Sequence, residues 1–177
     1  MQLMWLPMPG SRLRIVGAIA VAAMLASVPV SAVSLLQMDK LRQPAPNLGL
    51  DSGKTLADYR GQWVLLHFWA TWCGPCAREL PSLDRLRQRW QEKIDFFAIA
   101  IDEADAGIAP FLRDHDVAML PLHAGRSGAT ARYWGWGVPV TYLVNPDGNI
   151  VARALGPREW DSGAGDATLA HFAKTSP

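Results

Sequence analysis

Apolar residues run almost without a break through residues 63–70, "WVLLHFWA", the pattern of a strand buried on both faces of a sheet. Beyond Pro75 the rhythm changes. Cys76, Leu80, Leu83, Leu86 and Trp90 follow at intervals of 4, 3, 3 and 4, one stripe of an amphipathic helix whose other face carries Arg78, Arg85, Arg89 and Glu92. Pro75 suits the first helical turn, where no backbone N–H is needed, whereas Pro81 removes a bond inside the helix and predicts a kink. "IDFFAIAI" (94–101) reads as a second buried strand, residues 105–114 as a short helix, Leu120–His123 as a brief edge segment, and Ser127–Tyr133 as one or two helical turns. "VTYLV" (140–144) and "NIVARAL" (149–155) flank Asn145-Pro146-Asp147-Gly148, a hairpin turn in which Gly148 supplies the positive φ. A weak helix is expected from near Asp166. The order β-α-β-α, then a hairpin, then a helix implies an α/β domain with a mixed central sheet flanked by helices.

The N-terminus has a different character. Arg12 and Arg14 precede "IVGAIAVAAMLASV", followed by Pro29 and the small residues Val30-Ser31-Ala32, which is the layout of an export signal cleaved after Ala32. The same stretch carries no charge between Arg14 and Asp39, so an uncleaved membrane anchor is the alternative. Either outcome puts the domain outside the cytoplasm. Residues 1–32 are therefore expected to be signal or anchor, 33–43 a linker within a proline-containing stretch that runs to Asn47, and 44–177 a single domain. Of the 17 basic residues two lie in the leader, leaving 15 against 16 acidic ones. With no basic stripe and no run of like charge, nucleic acid is not an expected partner.

Both cysteines of the chain lie in "ATWCGPCARELP" (70–81), separated by Gly74 and Pro75. That spacing suits a redox pair, half of a metal site, or a structural staple. A staple closing so short a loop restrains little of the unfolded chain, and a metal site needs two further ligands, for which His67, His115 and His123 are the candidates. The strand ending in "FWATWCGPC", the proline-containing helix after it, and "GVPVTYLVNPDG" further on resemble the thioredoxin fold. More narrowly, "APNLGLDSGKTLADYRGQWVLLHFWATWC" and "GNIVARALGPREWDS" resemble the TlpA/ResA-like thiol–disulfide oxidoreductases. The resemblance covers roughly residues 44–175 and implies an extra N-terminal β-hairpin ahead of the catalytic strand.

Thiol–disulfide exchange requires a thiolate, and a cysteine at a helix start is favoured as the anion by unpaired N–H groups and the helix dipole. Cys73 is accordingly expected to attack, and Cys76, one turn in and more buried, to resolve the mixed disulfide. The resemblance implies that Pro139 is cis, faces the cysteines, and with Val138 forms the substrate-contacting loop. It also implies that Glu79, three residues beyond Cys76, carries the proton of the buried thiol, the plainer alternative being a solvated helix glutamate paired with an arginine. His67 stands where related chains keep an aspartate or asparagine. It reads either as a proton shuttle for Cys76 or as a core histidine bonded to a carbonyl. Trp69 and Trp72 are expected to wall the cleft and shield Cys73, Trp134 and Trp136 to flank the proline loop, and Trp160 to pack in the core or a lid.

The expected activity is an extracytoplasmic reductase of protein disulfides, and the resemblance implies a role in cytochrome oxidase copper-site or cytochrome c biogenesis. Gly74-Pro75, the thioredoxin dipeptide, sets the reducing direction. The clients are disulfide-containing proteins, and by resemblance the electrons come from a membrane donor of the DsbD/CcdA type. A monomer without cofactor or metal is expected. Val140, where the cytochrome c maturation branch has an acidic residue, counts against that branch. The alternatives are a copper chaperone, which would want CxxxC and a distant histidine, a thiol oxidase, and a peroxidase, which would want a threonine where Ala70 stands.

Overall fold

The computed structural model describes residues 37–49, 53–102, 107–118, 121–123 and 137–174. The leader, the tail after Lys174, the segment expected as a turn of helix at 127–133, and Trp134 and Trp136 lie outside these. Among the described residues no helix is long and apolar enough to cross a membrane.

Six strands form one mixed sheet: β1 (Gln37–Pro44), β2 (Trp63–Trp69), β3 (Ile94–Ala100), β4 (Pro121–His123), β5 (Val140–Val144) and β6 (Asn149–Leu155), in the spatial order β1-β6-β5-β2-β3-β4. β2 lies at the centre, parallel to β3 and antiparallel to β5, so it is walled by strands on both sides. The helices cover one of its faces and the chain ahead of it the other, which explains its unbroken apolar run. Helices α1 (Gly74–Trp90), α2 (Ile108–Asp114) and α3 (Gly163–Lys174) complete the domain. α1 continues through Pro81 to Trp90, and α3 starts three residues ahead of the expected Asp166.

Alternation along β2 sorts the core into two clusters. Leu65 and Trp69 join Leu80, Leu83 and Leu86 of α1, Ile108 and Leu112 of α2, and Leu169 and Phe172 of α3. Val64, Leu66 and Phe68 join Val140, Tyr142 and Val144 of β5 with Leu48 and Leu56, so on this side the cover comes from the chain ahead of β2. Burying each such side chain contributes about 2 kcal/mol. Where the extra hairpin was expected, the described residues form one isolated antiparallel bridge, Gly49 to Thr55; Leu56 N–H donates to the Leu48 carbonyl at 2.9 Å, and a 3-10 turn at Leu56–Tyr59 is closed by Thr55 N–H donating to Asp58 Oδ2 at 2.7 Å.

The linker expected over residues 33–43 is corrected. From Gln37 the chain is already a strand, pairing antiparallel with β6 and shifting register between Met38 and Gln43. Its composition carries no strand signal. The pairing follows from the unpaired backbone groups that the outer side of β6 would otherwise present, which any extended segment can satisfy. The β5–β6 turn follows expectation. Gly148 has φ +79°, and a Cβ there would lie 2.8 Å from Arg60 Nη1, whose guanidinium donates to the Asp147 carbonyl.

Asp84 joins α1 to the chain leaving α2. Only 2% exposed, it accepts from Arg87 Nε at 2.7 Å, Gln88 Nε2 at 3.3 Å and the Ala118 backbone N–H at 3.0 Å. Asp84→Ala leaves those donors without their acceptor. A loss of about 1–3 kcal/mol is expected, read as a lower urea midpoint at unchanged slope, and an unmoved midpoint would contradict the role.

Candidate active site

β2 delivers the chain to the site. At its end the Trp69 carbonyl accepts from Ile101 N–H at 2.9 Å, and the Ala70 carbonyl accepts from Cys73 N–H at 3.1 Å, turning the backbone sharply into α1. Thr71 is clamped across this turn: its N–H donates to both carboxylate oxygens of Asp102 at 3.1 Å, and its hydroxyl donates to Oδ1. Asp102 follows β3, so the clamp ties the two parallel strands' ends to each other.

Cys73 caps α1 and Pro75 occupies its first turn. Cys73 and Cys76 are joined by a disulfide, and Cys76 N–H points at Cys73 Sγ, 3.2 Å away. The same N–H would face a Cys73 thiolate after reduction, together with the positive end of the helix dipole. Cys73 is 5% exposed and Cys76 is fully buried. Both residues are thus buried, Cys73 the less completely.

Behind the disulfide, on the same face of α1 as Cys76, lies Glu79, 2% exposed. Glu79 is therefore not the solvated helix glutamate of the plainer alternative. Its Oε1 accepts the indole N–H of Trp160, while Oε2 is buried without a hydrogen bond. On β2, fully buried His67 places Nδ1 2.9 Å from Thr141 Oγ1 and 3.9 Å from Glu79 Oε1, with Nε2 unpartnered. The core histidine therefore bonds a hydroxyl and not a carbonyl. Burial pushes the Glu79 pKa up to about 7, opposed by the Trp160 bond, by the Arg158 backbone N–H and guanidinium charge, while the charge of Glu159 acts with burial. Burial drives His67 down to about 3. The pair lies within ion-pair distance, but between those values both groups are neutral, and above them only the carboxyl ionises.

The peptide bond between Val138 and Pro139 is cis. Val140 pairs with Phe68, so Pro139 comes to the sheet end where β2 turns into the cysteine loop. The Pro139 carbonyl accepts from Gly156 N–H at 2.9 Å. Trp72 does stand beside Cys73, but it is 68% exposed and offers its ring outward. Trp69 walls no cleft; it is fully buried, its ring 5.3 Å from that of Phe111. The expectation failed because position 69 continues the inward-facing set of β2, whose ring lands among the helices. His115 stacks on Phe111 away from the cysteines, and among the described residues no group of three or more His, Cys, Asp or Glu is placed to hold a metal ion. Asp102, Ser82 and the Trp160–Glu79 bond are the parts of the site that sequence reasoning missed. Asp102 had one local signal, a carboxylate directly after a buried strand beside the cysteine loop.

These features define a thioredoxin-fold protein with a disulfide-bonded cysteine pair at the start of α1 and a cis-proline next to β5. More narrowly, the chain belongs to the AhpC/TSA family, whose model matches residues 41–153. It is similar to the thiol-disulfide oxidoreductase ResA of Bacillus thuringiensis, 30% identical over 103 residues that take in 57% of this chain and 59% of that one. The thioredoxin-like protein YneN of Bacillus subtilis is 31% identical over 115 residues, 61% of this chain and 67% of that one. Among solved structures, a Chlorobium tepidum protein assigned as the thiol:disulfide interchange protein DsbE superposes with a TM-score of 0.65 at 25% identity, covering 77% of this chain and 99% of that one. The chain thus spans less than two thirds of the length of the ResA relative it matches.

Glu79 and His67 leave opposite marks on stability. A carboxyl raised from its ordinary 4.5 to about 7 stabilises the fold fully below pH 4.5 and loses that contribution as pH rises toward 7. His67, lowered to about 3, stabilises above pH 6.5 and loses its contribution as pH falls toward 3. Glu79→Gln keeps an acceptor for Trp160 and removes only the first effect. Its stability relative to the native protein is expected to improve steadily from pH 4.5 to pH 7.5 in chemical denaturation; a constant difference would mean that Glu79 does not titrate in this range.

Proposed function

We propose that this protein is an extracytoplasmic thiol–disulfide oxidoreductase that reduces disulfides in client proteins. The observation that carries the reading is the unequal cysteine pair: Cys73 at the mouth of α1 under the Cys76 N–H, Cys76 wholly buried with a protonatable carboxyl on its side of the helix. In the reduced protein the Cys73 thiolate attacks a client disulfide, forming a mixed disulfide and releasing one client sulfur as thiolate, which takes a proton. Cys76 then gives its proton to Glu79 and attacks Cys73 Sγ, releasing the second client sulfur as a thiolate, which takes a proton from solvent. Two electrons have passed to the client, and the protein is left with the Cys73–Cys76 disulfide seen here. A dithiol donor returns it to the starting state by the same exchanges in reverse, Glu79 handing its proton back to Cys76.

Val138 and Pro139 supply the edge along which an extended client segment lies, and exposed Trp72 supplies an apolar surface next to the attacking sulfur. Gly74-Pro75 supports a reducing potential near that of thioredoxin, about −270 mV. The leader supports an extracytoplasmic location, and with it a membrane electron donor of the DsbD/CcdA type. The likeness to ResA and DsbE supports clients in cytochrome c or copper-centre assembly. Peroxide reduction is less well supported, since buried Ala70 offers no hydroxyl three residues ahead of Cys73.

Cys76→Ala cannot resolve the mixed disulfide. Mixed with a disulfide-bonded peptide after reduction, it is expected to accumulate a covalent adduct through Cys73, seen by non-reducing electrophoresis and mass spectrometry, whereas Cys73→Ala forms none. No adduct, or tight stoichiometric copper binding by the reduced protein with negligible disulfide reduction, would overturn the reductase reading.

A further inference from the structure

The segment after β6 touches the site at two places. Gly156, at φ +76°, donates its N–H to the Pro139 carbonyl. Four residues on, Trp160 grips the turn of α1 that carries Glu79 by both of its donors. Its backbone N–H reaches Ser82 Oγ at 3.1 Å, the Ser82 hydroxyl donates to the Glu79 carbonyl at 2.8 Å, and the indole N–H donates to Glu79 Oε1. The ring itself is 1% exposed. Core packing alone asks for an apolar ring, not for an indole whose N–H ends on a buried carboxyl.

We propose that Trp160 is a positioning residue for thiol–disulfide exchange, holding Oε1 of Glu79 so that Oε2 alone carries the proton, and thereby setting the pH at which exchange proceeds. This rests on the reading of Glu79 as the proton carrier for Cys76. An indole N–H bond favours the ionised carboxyl, opposing the burial that favours the acid. The groups facing Glu79 are His67 from β2, Cys76 from its own helix, and Arg158 and Glu159 from the segment after β6. His67 stays neutral above about pH 3. The charges of Arg158 and Glu159 act with opposite signs, the Arg158 backbone N–H acts with Trp160, and among the described residues Trp160 is the one side chain donating a hydrogen bond to the carboxyl.

Two measurements on the full chain test this. In the oxidised protein labelled with 15N-tryptophan, the Trp160 indole N–H resonance is expected to titrate with a midpoint near 7, and to stop titrating in Glu79→Gln. In the second, the rate at which the reduced protein cleaves a disulfide-bonded peptide is followed from pH 5 to 9. Trp160→Phe is expected to move the inflection belonging to Glu79 upward by about one to two pH units. Glu79→Gln is expected to remove it, and Trp160→Phe is expected to shift nothing further in the Glu79→Gln background. If Trp160→Phe is too unstable to assay, the indole titration of the native protein decides. A flat indole resonance, or a folded Trp160→Phe that keeps the native inflection while Glu79→Gln abolishes it, overturns the proposal and leaves the role of Glu79 standing. If Glu79→Gln itself keeps the native profile, the reading of Glu79 fails, and with it the proposal.

Discussion

A carboxyl group buried behind a disulfide is the constraint around which much of this domain is arranged. An ionised glutamate in an apolar interior is strongly disfavoured, so Glu79 must be neutral for much of the accessible pH range or be given partners. The structure takes a middle course. Burial raises the proton affinity of Glu79, and one indole N–H with a nearby backbone N–H and guanidinium restrains that rise, leaving the group balanced near neutrality. A group with its proton affinity near neutrality both accepts and returns a proton with little penalty, which suits the role proposed for Glu79. The cost falls on the fold, which must tolerate an anion in its core above that pH.

His67 makes sense within the same constraint. A second titratable group beside a buried carboxyl would, if cationic, pull the glutamate down to a permanently ionised state. Complete burial keeps the imidazole neutral, and the hydroxyl of Thr141, its cross-strand partner, satisfies one ring nitrogen. The histidine thus offers a polar neighbour to Glu79 without fixing its charge.

Much of this was legible because it is local. The strand pattern at 63–70, the helical stripe from Cys76 to Trp90 and the Asn-Pro-Asp-Gly turn each depend on residues within a few positions of one another, and all form as expected. The contacts that were not legible join distant positions. Trp160 lies 81 residues from Glu79, and periodicity or composition cannot say that its ring will end on that carboxyl. Thr71 and Asp102 are likewise brought together by the parallel pairing of β2 and β3. β1 forms because β6 would otherwise be an open edge, a property of the assembled sheet and not of the sequence at 37–44. Trp69 and Trp72, three residues apart, differ completely in exposure: one ends a central strand and the other sits in the turn after it.

In the disulfide-bonded state Cys76 has no exposed surface, and Cys73 keeps only a little. Glu79 has an unbonded oxygen and lies on the same helix face, which makes it the nearest group in sequence able to take the Cys76 proton. The segment that holds Glu79 through Trp160 also holds the cis-proline loop through Gly156.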